Sequence, residues 1–229
     1  MKTIGLLGGM SWESTELYYR KINEETKRVR GRLHSAPLAM VSVDFQQIEE
    51  LQHKDDWAAC ARILADKSRR IEAAGADFLL ICTNTMHKVA PQIEEALGIP
   101  LLHIADATAA RIKESGMSRV GLLGTRFTME QEFYKGRLEQ HGLEVLVPTR
   151  EDREIVHRVI YEELCLGKIL DGSRTEFLRI IRELEDNGAS GVVEGCTEIA
   201  MLVSQAHTDV SLFDTTAIHA EEAVAEALR

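Results

Sequence analysis

The segment Gly5-Leu6-Leu7-Gly8-Gly9 recurs 116 residues later as Gly121-Leu122-Leu123-Gly124-Thr125, and at the same offset Tyr18 falls on Tyr134. Gly75-Ala76 recurs 113 residues later as Gly188-Ala189, each ahead of an aliphatic run. That second offset lays Thr83 on Cys196, Asn84 on Thr197 and Thr85 on Glu198. Asp106 with Thr108 likewise resembles Asp214 with Thr216, each before an Ala-rich helix. One such match arises easily by chance. Three in the same order, each at a strand-like end, indicate an internal duplication and restrict the chain to folds built from two similar halves.

Each half alternates short aliphatic or β-branched runs with longer amphipathic ones. The spacing predicts strands at Ile4–Leu7, Leu38–Val43, Phe78–Cys82, Leu101–Ile104, Arg119–Leu123, Gly191–Val193 and Val210–Phe213. It predicts helices at Ser14–Arg28, Trp57–Ala74, Met129–Gln140, Glu154–Cys165 and Ser173–Asn187, with caps at Asp55/Asp56 and Ser173 and stops at Gly75 and Gly188. A further helix, capped by Thr85, is expected to run through His87 to about Ala96. Such alternation reads as an α/β fold of two similar domains, each with a mainly parallel sheet flanked by helices. The expected division is residues 1–115 with about 211–229, and residues 116–210.

Ligands of parallel sheets bind beyond the carboxyl ends of the strands. Gly8, Thr83, Thr125 and Cys196 all sit at such ends. Cys196 lies between a strand and an expected helix, where free backbone N–H groups would favour the thiolate. Free cysteine is also among the most buried residue types, so position alone leaves a core role open. Thr83-Asn84-Thr85 either makes a strand–helix turn or gathers donors for a carboxylate, and the two are compatible. Cys82 stands one residue earlier, faces the other side of its strand, and reads as core. Neither glycine-rich loop matches the dinucleotide or P-loop pattern. His103, His141, His157 and His207, with Trp12, Trp57 and Cys60, read as structural, packing or solvated residues.

A net charge of −10 argues against nucleic-acid and anionic-membrane partners, while 45% hydrophobic and 28% charged residues suit a globular protein. No apolar run approaches the roughly 20 residues of a membrane span, and nothing at the N-terminus reads as a signal peptide. The four cysteines form neither a CxxC pair nor a metal-like cluster with histidine. Free thiols without an export signal suit a reducing cytoplasm, which is the expected location.

Gly8-Gly9-Met10, Asn84-Thr85 before His87, Gly124-Thr125 and Gly195-Cys196-Thr197-Glu198 together resemble the aspartate/glutamate racemase family. The likeness runs through nearly the whole chain in order, and the Cys-Thr-Glu signature at Cys196 is its most specific part. It implies two α/β domains with the active site in the cleft between them. It also implies a homodimer and racemisation or epimerisation of an amino acid, most readily aspartate or glutamate, without pyridoxal phosphate or metal. Family members flank the substrate α-carbon with two cysteines; here Cys196 carries over as acid/base and Thr83 stands in place of the other. Met10, Gln52, Asn84, Thr85, Thr125, Thr197 and Glu198 are the substrate-binding residues implied. Asp44-Phe45-Gln46-Gln47 lacks the arginine that aspartate racemases use, and Cys165 replaces a family lysine. Gln47, Gln52, Arg126 and Lys168 are the candidates to replace those cations. Two rival readings remain: a malonate-decarboxylase-like lyase or isomerase of the same superfamily, and a non-catalytic amino-acid-binding protein.

Overall fold

Two parallel strand ladders carry the duplication in a computed structural model that describes residues 1–229. The chain divides into residues 1–104 with 219–229, and residues 105–218. The first unit contains β1 (Ile4–Gly8), α1 (Trp12–Arg30), β2 (Leu38–Ser42), α2 (Phe45–His53), α3 (Trp57–Ala73), β3 (Phe78–Ile81), a 3-10 turn at Thr85–Val89 and α4 (Ala90–Glu94). Next come α5 (Ile104–Glu114), β4 (Arg119–Gly124), α6 (Arg126–Glu130), α7 (Lys135–Gln140), β5 (Glu144–Leu146) and α8 (Arg150–Glu162). A 3-10 turn at Leu164–Leu166, α9 (Asp171–Asp186), β6 (Gly191–Gly195), α10 (Ile199–Leu202), β7 (Ser211–Asp214) and α11 (Thr215–Leu228) complete the chain.

The sheets have the orders β2-β1-β3 and β5-β4-β6-β7. In the first, Gly5, Leu6 and Leu7 pair with Leu79, Leu80 and Ile81; in the second, Gly121, Leu122 and Leu123 pair with Val192, Val193 and Glu194. Both sequence offsets are therefore preserved in one pairing register, and Thr83 and Cys196 leave equivalent strands at equivalent points.

Strand alternation assigns each face its cover. Ile4, Leu6, Phe78, Leu80 and Cys82 pack with Tyr18 and Ile22 of α1 and with Ala220, Ala223 and Ala227 of α11. Leu7, Leu79 and Ile81 face Cys60, Ala61, Leu64 and Ile71 of α3. In the second unit the i, i+3, i+4, i+7 stripe Phe177, Ile180, Ile181, Leu184 of α9 packs with Val156, Val159 and Ile160 of α8, against Leu123 and Val192. α1 is capped by Ser11, whose hydroxyl accepts from Ser14 N–H at 3.3 Å, and α3 by Asp56, which accepts from Ala59 N–H at 2.9 Å. α3 and α9 stop just before Gly75 and Gly188, whose φ values of 91° and 96° suit a residue without a Cβ.

Several elements differ from the sequence expectation. Residues 105–115 and 211–218 belong with the second unit: β7 completes its sheet beside β6, and Asp106 of α5 accepts from Arg137 and His141 at 2.6–2.8 Å. The strand expected at Leu101–Ile104 is one bridge to Leu79, because α5 begins at Ile104. The helix expected at Met129–Gln140 is interrupted by Gln131, whose backbone is extended. α9 starts two residues early, and Ser173 donates to Glu163 at 2.5 Å instead of capping. Asp106 sits inside α5, whereas the Asp214 carboxylate accepts from Thr216 and Ala217 N–H at the start of α11. Their resemblance is one of sequence only.

His219 of α11 is completely buried. Its ring lies 2.7 Å from Tyr18 Oη and 2.8 Å from the Leu102 carbonyl, and burial lowers its pKa from 6.5 to about 4. A depressed histidine pKa means that the unfolded chain binds the extra proton first, so stability falls as pH drops from about 6.5 towards 4. The loss should reach no more than about 3 kcal/mol. Urea unfolding at pH 7 and pH 4.5 should show it, and His219→Gln should have a flatter pH dependence. An equally steep decline in that variant would assign the acid sensitivity to other groups.

Candidate active site

β6 ends at Gly195, paired to Gly124 of β4, and the next residues on these neighbouring strands are Cys196 and Thr125. Gly124 leaves room for this approach, since a Cβ there would lie 2.9 Å from the Gly195 carbonyl oxygen. Thr125 caps α6, its hydroxyl 3.3 Å from the Thr128 N–H. Cys196, Thr197 and Glu198 are 8%, 2% and 2% exposed, so their polar atoms must find partners inside the protein. The Cys196 thiol donates to Glu198 Oε2 at 3.0 Å, and the Thr197 hydroxyl donates to the same oxygen at 2.7 Å.

The expected lowering of the Cys196 pKa does not occur. Burial pushes the thiol well above its usual value, the Glu198 carboxylate adds to that shift, and Cys165 pushes the same way. The helix beyond, α10, has only four residues and begins three positions after the thiol, too short and too far to favour a thiolate. Glu198, expected among substrate ligands, has its carboxylate engaged by Cys196 and Thr197. In the sequence Cys165 stands where the family has a lysine, and it is, with His87, a further candidate to serve the second face. It packs against the cluster that holds Cys196, a proximity created by the turn at Leu164–Leu166 and invisible in sequence spacing.

In the first unit, β3 ends at Ile81, and Thr83, Asn84 and Thr85 follow as buried residues. Thr83 N–H donates to the Ile81 carbonyl at 2.9 Å, closing a tight turn, and its own carbonyl accepts from His87 Nδ1 at 2.8 Å. Thr85 does not cap a long helix: it opens the 3-10 turn, α4 begins only at Ala90, and no side chain caps the turn. Cys82 is fully buried beside Phe78 and Leu80, where burial holds its thiol far above the usual range. Ser14 of α1 fixes the Cys82 carbonyl with a 2.9 Å hydrogen bond.

The loops after β1 and β4 are built differently despite their sequence likeness. Gly9 has φ 90°, and a Cβ there would fall 2.2 Å from the Val43 carbonyl oxygen, so a threonine such as Thr125 cannot replace it. Ser11 supplies the cap instead. Met10 lies 3% exposed within the cluster containing Leu7 and Met86. Gln52 of α2 is equally buried and donates its amide to Met86 Sδ at 2.9 Å. His141 pairs with Asp106, and His157 and His207 accept from backbone N–H groups, which are structural roles.

The two halves, each ending a parallel strand in a buried polar triplet, match one family model, described as Asp/Glu/Hydantoin racemase, over residues 7–223. The chain belongs to this family. It is therefore an isomerase of the racemase class, with the α/β fold common to aspartate and glutamate racemases. A proposed Asp/Glu racemase from Yersinia pestis is 55% identical, with a TM-score of 0.92 and complete coverage of both chains. An aspartate racemase homologue from Pyrococcus horikoshii OT3 is 34% identical, again over both whole chains, at a TM-score of 0.85. The broad specificity amino-acid racemase RacX of Bacillus subtilis is 22% identical over 226 residues, 96% of each chain.

The raised thiol pKa has a direct consequence. Iodoacetamide labelling of Cys196, followed by peptide mass spectrometry, should have a pH midpoint well above that of free cysteine. Glu198→Gln removes the neighbouring negative charge and should move that midpoint to lower pH. An unshifted midpoint would show that Glu198 does not govern this thiol.

Proposed function

We propose that the protein racemises α-amino acids without a cofactor, with Cys196 as acid/base and Thr83 in place of the second cysteine. The observation that supports it most strongly is the buried Cys196–Glu198 contact of 3.0 Å at the end of β6. An amino-acid α-proton is a very weak acid, so the base must be strong and close, and the developing carbanion must be stabilised. A thiolate whose pKa is raised by burial is a strong base once formed. Glu198 supplies the acceptor: the Cys196 proton passes to its carboxylate, and the thiolate then takes the α-proton. The electron pair left on carbon spreads into the substrate carboxylate, held by Asn84, Thr85, Thr125 and the backbone N–H groups near Thr197. A proton from solvent reaches the opposite face through a water positioned by Thr83, and one proton returns to solvent from the Cys196 side.

We further infer that neutral side chains are favoured over the aspartate and glutamate suggested by family resemblance. The Glu198 carboxylate bears on Cys196 with negative charge, and a second substrate carboxylate would add to that repulsion. RacX, a relative with broad specificity in its name, is consistent with such tolerance. No group of three His, Cys, Asp or Glu side chains is placed to hold a metal ion. No helix is long and apolar enough to cross a membrane, and the cytoplasm is the proposed location.

Incubation of L-serine, L-methionine, L-aspartate and L-glutamate in deuterated water should give α-deuterium and the D-form, fastest with the neutral pair. Cys196→Ala should lower exchange by about 10²- to 10⁴-fold, whereas Cys82→Ala should keep most of it. Carbon dioxide release from malonates without α-exchange would favour the decarboxylase reading. Tight binding without exchange would favour a binding protein.

A further inference from the structure

We infer that His87 is a positioning residue for Thr83, setting the hydroxyl's place through the backbone behind it; this rests on the proposed role of Thr83. His87 is 2% exposed, and both ring nitrogens have defined partners. Ile104 N–H donates to Nε2 at 3.3 Å, so Nε2 carries no proton. The ring proton therefore resides on Nδ1 and is donated to the Thr83 carbonyl at 2.8 Å. His103 packs edge-on against the ring, with centroids 4.4 Å apart, and limits its rotation.

The arrangement closes a short loop. Thr83 N–H is turned back onto the Ile81 carbonyl, and the Thr83 carbonyl is tied four residues ahead to His87. Cys82, immediately before, is anchored by Cys82 N–H to the Leu7 carbonyl at 2.9 Å and by Ser14 Oγ to its own carbonyl. Of these ties, the His87 bond alone is a side-chain contact made to Thr83 itself. A 3-10 turn, with its weaker internal hydrogen bonds, starts two residues later and would not hold this peptide as firmly. A hydroxyl that orients a water for proton delivery must be placed to within a few tenths of an ångström, because misplacement costs rate steeply.

Two substitutions separate the two bonds of the ring. His87→Asn puts an amide N–H near the position of Nδ1 and keeps the donation to Thr83 while losing the Ile104 contact. His87→Gln reaches the position of Nε2 with its amide oxygen, keeping Ile104 and losing Thr83. The readout is the rate of D-product formation divided by the rate of α-deuterium wash-in from the L-amino acid. Wash-in reports Cys196, whereas inversion also needs the opposite face. His87→Gln should lower this ratio by about tenfold, the worth of one buried hydrogen bond. His87→Asn should leave the ratio within about twofold of the parent. Equal effects of the two variants on the ratio, or no effect of either, would overturn the assignment. Should neither variant fold, ¹⁵N-histidine spectra of the unaltered protein decide: an Nδ1–H tautomer at His87 supports the assignment and an Nε2–H tautomer overturns it. Absence of wash-in in the unaltered protein would instead refute the racemase reading beneath it.

Discussion

Everything chemical in this protein depends on the register between the first and third strands of each half. Gly5 opposite Leu79 and Gly121 opposite Val192 are the same pairing twice, and a slip of one residue would turn every following side chain to the other face. The register places Thr83 and Cys196 at equivalent points beyond their strands. It also directs Cys82 into apolar surroundings with Phe78 and Leu80. One residue of offset separates a thiol buried in the core from a position at the strand end.

The second constraint is burial without a cation. Cys196 and Glu198 share a hydrogen bond in an environment that raises the thiol pKa, and neither charge on the carboxylate nor the nearby Cys165 relieves it. In the proposed mechanism a resting thiol of this kind becomes a strong base only after its proton moves to a neighbour. This reverses the simple picture of a cysteine activated by a helix terminus.

The duplicated α/β architecture was legible because glycines and aliphatic runs obey local rules. Gly5 and Gly121 recur where strands pass close to other groups, and Gly75 and Gly188 where helices stop. The stripe Phe177, Ile180, Ile181, Leu184 has a helical period that no other structure would satisfy. What escaped depends on contacts distant in sequence. The short β5 and the α2 helix have no strong periodic signal, and β7 joins the second sheet through pairing with β6 that spacing does not encode. The environment of Cys196 was misread for the same reason: Glu198 was visible two residues away, but the burial and the nearness of Cys165 come from the turn after α8. His87 stood in the sequence as a neighbour of Asn84-Thr85, while its two ring partners required coordinates.

The central claim is that two equivalent strand ends carry unequal acid/base groups, a thiol at Cys196 and a hydroxyl at Thr83. The most direct measurement is the initial rate of α-deuterium wash-in from the L- and the D-enantiomer of one neutral amino acid, in the parent and in Thr83→Cys. The account predicts faster wash-in from the L-form than from the D-form in the parent, and rates drawn together by Thr83→Cys with a gain in inversion. Equal wash-in from both enantiomers in the parent, with inversion unchanged by Thr83→Cys, would contradict it.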